Sequence, residues 1–172
     1  IVVIGAGGAG AAVAHVALTL GAQRVTIVDL DDDRAATLAA RLGAHFDPSR
    51  VEVAEGDQLA DRLAASDGVI HATPTGMADH PGMPFSPDLL RRDLWVADVV
   101  YRPLETELLR QARELGCPTL DGGAMAVFQA VGSFRLFTGL EPDPARMLLH
   151  FDRAFRTAAE AAEPPPAPVP SS

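Results

Sequence analysis

Apolar residues come in short consecutive runs rather than in alternation: Ile1 to Ile4, Val25 to Val28, Val51 to Ala54, Val69 to Ala72 and Trp95 to Val100. A strand that is apolar on successive positions is covered on both faces, as in a parallel sheet between layers of helices. Between the runs lie helical patterns: "AGAAVAHVALTLG", "DDDRAATLAARLG", "DQLADRLAAS" and "SPDLLRRD". Gly21 and Gly43 stand where helices should stop, and Ser86 followed by Pro87 reads as an N-cap with proline at the first helical position. Beyond Tyr101 the pattern predicts a helix from Leu104 to Leu115 ended by Gly116, then a short strand in "CPTL". Two more helices are predicted, near Ala124 to Phe137 and near Asp143 to Ala162. This alternation predicts an α/β fold, a Rossmann-like doubly wound parallel sheet of about six strands with right-handed crossovers. The expected organisation is a dinucleotide-binding domain over 1–123, C-terminal helices over 124–162 and a disordered Pro/Ala-rich tail, "EPPPAPVPSS", over 163–172.

Charge and composition narrow the partners. The net charge is −9 and all 14 basic residues are arginine, so no broad basic surface is offered to nucleic acid or anionic lipid. Apolar runs fall far short of a membrane span. Cys117 is the single cysteine, which excludes an intrachain disulfide and a cysteine zinc cluster and fits a reducing, cytoplasmic setting.

Candidate chemistry begins in "IVVIGAGGAG". Gly5, Gly7 and Gly10 form GxGxxG between a predicted strand and a predicted helix. The first glycine permits the tight turn, the second admits a pyrophosphate to the backbone, and the third lets helix and strand pack closely. With Gly8 they are the candidate cofactor loop. Asp29 ends the second predicted strand, 19 residues beyond Gly10, where a carboxylate accepts hydrogen bonds from an adenosine ribose. Asp31, Asp32 and Asp33 follow, and a 2′-phosphate beside these carboxylates is repelled unless an arginine intervenes; Arg34 is the nearby candidate. One of the three aspartates is expected to cap the next helix and the others to be solvated. The cofactor expected is NAD, with NADP disfavoured.

Three further segments, "HATPTGM" at 71–77, "ADVVYRPLETELL" at 97–109 and "DGGAMAVFQA" at 121–130, follow the glycine loop in order. Together they make the chain resemble the shikimate dehydrogenase family, including its quinate/shikimate dehydrogenase branch, from Ile1 to about Gly139. The resemblance implies the C-terminal cofactor domain of a two-domain oxidoreductase, whose other domain supplies a catalytic lysine and aspartate. The chain contains no lysine. Residue 1 is therefore expected to be an internal position, with no catalytic residue in this chain and the N-terminal catalytic domain as its partner. The implied reaction is reversible hydride transfer between shikimate and 3-dehydroshikimate, in aromatic amino-acid biosynthesis or quinate use. Homodimerisation is left open.

By the same resemblance, Thr73 and Pro74 lie beside the cofactor, Val99 near the nicotinamide, and Gly122 offers its carbonyl to the nicotinamide amide. Met125 packs beneath that ring, while Tyr101 and Gln129 reach the substrate. Read without it, Tyr101 could be a buried ring with a satisfied hydroxyl, Met125 is core and Gln129 is undecided, although helical spacing puts Met125 and Gln129 on one face. His71, where the family usually has asparagine, reads as structural rather than catalytic. Two other readings stand beside the enzyme: a stand-alone NAD-binding sensor or interaction module, and another two-domain dehydrogenase with a similar Rossmann half. The pairing of Tyr101 with Gln129 favours the enzyme over the sensor.

Overall fold

The computed structural model describes residues 1–162, excepting the side chains of 156–162. The tail expected over 163–172 lies outside the described residues. The chain forms two compact units, Ile1–Gly123 and a second from Ala124 onward.

In the first unit the elements are β1 (Val2–Ile4), α1 (Gly8–Thr19), β2 (Val25–Val28), α2 (Asp32–Gly43), β3 (Val51–Val53), α3 (Leu59–Ala64), β4 (Gly68–His71), β5 (Trp95–Asp98), α4 (Glu107–Leu115) and β6 (Thr119–Leu120). All six strands are parallel, in the order β3-β2-β1-β4-β5-β6. Successive strand residues feed opposite cores. Val3, Val25 and Ile27 pack with Ala14 and Leu18 of α1 and with Leu38 of α2. Val2, Ile4, Val28, Val69 and Val96 pack with Leu63 of α3 and with Leu108 and Leu109 of α4. The consecutive apolar runs thus reflect two cores sharing one sheet, and each large side chain buried there stabilises the fold by about 1.5–3 kcal/mol. Cys117 belongs to the second core, where burial pushes its thiol pKa up.

Local chemistry sets the helix ends. Asp31 caps α2 by accepting from the Arg34 N–H at 3.0 Å, while Asp32 and Asp33 occupy its first turn, as the run of aspartates implied. Thr106 caps α4, and Gly116, at φ 90°, ends it in the left-handed region. Gly21 is also left-handed, at φ 99°, just past α1.

Several predicted boundaries move. Gly43 is the last residue of α2, and right-handed Ala44 is its cap. "SPDLLRRD" forms only a 3-10 turn over Pro87–Leu89; Leu90 is extended, which lets Leu90 and Leu94 both enter the core. Ser86 makes no capping bond; its hydroxyl donates to Asp88 instead. The helix expected from Leu104 begins at Glu107, because Thr106 is taken up as its cap. β5 ends at Asp98 rather than Val100, since the Val100 N–H donates to the Asp98 carboxylate.

The second unit contains α5, which starts at the last residue of the first unit and runs Gly123–Thr138, and α6 (Pro144–Ala162). On α6 the rings of Phe151 and Phe155 lie 4.3 Å apart, one turn from each other. No helix among the described residues is long and apolar enough to cross a membrane.

Leu109 is fully buried between α4 and the sheet. Leu109→Ala should lower the unfolding free energy by about 2–5 kcal/mol, read from urea denaturation. A loss near zero would mean that α4 does not pack as described.

Candidate dinucleotide site

Reversal of strand order between β1 and β4 opens a crevice at the carboxyl edge of the sheet, where the connections leave in opposite directions. The glycine turn follows β1 into that edge. Gly5 has φ 105°, and a Cβ built on it would lie 2.6 Å from the Ala72 carbonyl oxygen and 2.9 Å from the Thr73 methyl. At Gly10 a Cβ would fall 1.8 Å from the Gly5 carbonyl oxygen. Both glycines are therefore demanded by the protein's own backbone. Gly7 and Gly8 differ, because a Cβ at either meets nothing within 4 Å. Gly7 is the N-cap of α1 at φ −72°, a conformation any residue adopts, and no side chain caps the helix. Packing does not demand glycine there, and the bare backbone leaves room for a ligand to approach the helix N-terminus. The residues present fit a dinucleotide.

Asp29 stands at the end of β2 with both carboxylate oxygens in use. One accepts from the Ala6 N–H at 2.6 Å, the other from the Asp31 N–H at 2.9 Å. The same side chain thus ties the glycine turn to the neighbouring strand end and remains partly exposed. Arg34 is paired with Asp31 at 3.4 Å.

At β4 and β5 the edge is built around buried polar groups. His71 and Asp98 are register partners in adjacent strands. His71 Nδ1 lies 3.0 Å from Asp98 Oδ1, and both side chains are fully buried. Asp98 also accepts from the Val100 N–H at 3.0 Å and from the Thr106 hydroxyl at 2.7 Å. His71 therefore has the structural placement expected of it. Sequence reading missed the Asp98 and Thr106 part of this cluster. The available signal was an acidic residue inside the apolar run "WVADVV", since a buried carboxylate needs partners.

Thr73 and Pro74 follow β4 on the same edge, and Val99 follows β5. Gly122 crosses beneath the end of β5 so closely that a Cβ would lie 2.5 Å from the Val99 carbonyl oxygen. Tyr101 is about half exposed in this chain. Met125 and Gln129 share one face of α5 in the second unit, Met125 half-buried and Gln129 exposed. A polar groove of about 760 Å³ opens at the opposite, amino edge, among Arg24, Arg50, Glu52 and Arg62; none of the expected site residues lines it.

The strand order, the glycine turn at the switch point and the acidic end of β2 define a Rossmann-type dinucleotide-binding domain. The family model described as the saccharopine dehydrogenase NADP binding domain matches residues 1–78, which hold the glycine turn and strands β1 to β4. A shikimate dehydrogenase (NADP(+)) of Streptomyces avermitilis is 62% identical over 159 residues, which are 92% of this chain and 55% of the relative. A quinate/shikimate dehydrogenase (NAD(+)) of Corynebacterium glutamicum is 51% identical over 147 residues, 86% of this chain and 52% of the relative. Among solved structures, quinate dehydrogenase from Corynebacterium glutamicum in complex with NAD superposes with a TM-score of 0.83 at 50% identity, over 88% of this chain and 54% of that one. Over most of its length the chain is homologous to the shikimate and quinate/shikimate dehydrogenases, which are oxidoreductases, and it corresponds to their NAD(P)-binding half. It spans about half the length of the curated relatives it matches.

The two kinds of glycine should separate experimentally. Gly10→Ala should cost about 3 kcal/mol of stability, because backbone blocks the new methyl, whereas Gly7→Ala should change stability by less than about 0.5 kcal/mol and still weaken dinucleotide binding. Denaturation curves with titration of NAD check both halves. A Gly7→Ala protein that binds as well as the parent would remove the loop from the site.

Proposed function

We propose that this chain is the cofactor-binding half of an NAD-preferring shikimate or quinate/shikimate dehydrogenase. The whole protein would carry out reversible hydride transfer at a ring carbon bearing a hydroxyl, of shikimate or quinate. The observation that carries the NAD preference is Asp29. Its carboxylate is held at the end of β2 by two backbone N–H groups, and the nearest candidate cation, Arg34, is already paired with Asp31. A ribose diol can donate to that carboxylate, whereas a 2′-phosphate would meet like charge.

When bound, the nicotinamide supplies the hydride acceptor or donor. The chain's own residues bind and orient. The α1 N-terminus and the open backbone at Gly7 and Gly8 receive the diphosphate, and Asp29 receives the adenosine ribose. Thr73, Pro74, Val99 and Gly122 frame the nicotinamide, and Tyr101 faces the substrate. Oxidising an alcohol also needs a group to take the hydroxyl proton. The family resemblance assigns that task to a lysine and an aspartate of the other domain, and this chain contains no lysine.

Calorimetric titration with NAD and with NADP tests this reading. NAD should bind about tenfold more tightly or better, and Asp29→Asn, which removes the charge and keeps an acceptor, should narrow the ratio. Equal or tighter binding of NADP by the parent chain would overturn the preference. Oxidation of shikimate by this chain alone would overturn the division of labour.

A further inference from the structure

We propose that His71 is a positioning residue for the nicotinamide end of the site, acting through the Thr73 hydroxyl; the inference rests on the dinucleotide reading above. His71 is fully buried and has no exposed surface of its own to offer a ligand. Asp98 accepts from His71 Nδ1, and Nε2 forms a hydrogen bond with Thr73 Oγ1, its close neighbour on the other side. Asp98 is in turn fixed by Val100 and Thr106, so the imidazole cannot turn without breaking contacts on both of its nitrogens.

Thr73 is thereby held at both branches of its side chain. Its hydroxyl meets His71 and accepts from the Thr75 N–H at 3.3 Å, while its methyl is seated beside Gly5, within 2.9 Å of where a Cβ would stand there. That arrangement sets the path of the turn through Pro74 to Gly76 as it leaves β4. The adenosine and diphosphate portions of the site, at Asp29 and the glycine loop, do not depend on the hydroxyl. Loss of the His71–Thr73 bond should therefore be felt at one end of the dinucleotide only.

The test compares NAD with ADP-ribose, which lacks the nicotinamide ring, by calorimetric titration of the full chain. His71→Asn can still donate to Asp98 but is too short to reach Thr73. It should weaken NAD by about fivefold, the size of one hydrogen bond, and leave ADP-ribose within about twofold. Thr73→Ser keeps the hydroxyl and loses the methyl seated beside Gly5, and should weaken NAD less than Thr73→Ala does. Adding His71→Asn to Thr73→Ala should weaken NAD no further than Thr73→Ala does alone. Equal weakening of both ligands, an unchanged His71→Asn protein, or additive losses in the double variant would each overturn the inference while leaving the dinucleotide site intact. A parent chain that binds neither ligand overturns the dinucleotide reading, and this inference with it.

Discussion

One buried carboxylate holds the working edge of the sheet together. Asp98 sits at the end of an apolar strand and accepts from His71 on β4, from Val100 beyond its own strand, and from Thr106 at the start of α4. Each such bond adds about 1 kcal/mol net, but leaving a buried polar group without its partner costs about 1–3 kcal/mol. That asymmetry makes three segments interdependent, since none can shift without orphaning a group in the interior. Thr106 serves two segments at once, because the hydroxyl that donates to Asp98 also accepts from the Leu109 N–H at 3.3 Å and caps α4.

The glycines divide along the line between scaffold and site. Gly5, Gly10 and Gly122 lie where backbone passes backbone too closely for any side chain. They let β1, the β4 turn and the end of β5 converge on one crevice. Gly7 and Gly8 have free space around them and ordinary need of no one conformation. Packing does not require them, and they leave the backbone at the N-terminus of α1 open to approach.

Much of this was legible in the residues, and the misses share a cause. Apolar runs on consecutive positions located all of the first five strands, because double burial leaves no polar face to break the run. β6 shrank to Thr119–Leu120, an edge strand with one neighbour. "SPDLLRRD" carried good local helix signals and still failed as a helix, since burial of Leu90 and Leu94 outweighed local propensity. The α4 boundary slipped from Leu104 to Glu107 because Thr106 is claimed by a residue eight positions earlier. At the site the glycine turn and Asp29 were readable as spacing. The Asp98 cluster was not, because its members, 71, 98 and 106, meet only through strand register and a helix start, neither of which periodicity reports.

Overall similarity does not decide which dinucleotide such a domain takes. The relative at 62% identity is named for NADP(+), and one at 51% is named for NAD(+). The deciding interaction has to be local, and the strand end at Asp29 is where a ribose hydroxyl and a 2′-phosphate differ most for the protein. Here the carboxylate has two duties. It accepts from Ala6 inside the glycine turn, and it is the carboxylate proposed above to meet the ribose. Charge at the end of β2 and geometry of the diphosphate loop are therefore coupled through one side chain. Substitution at that position alone would remove the charge and release the Ala6 N–H in the same step. The exchange would need a replacement that still accepts from Ala6, with the cation supplied from a neighbouring position rather than from residue 29 itself.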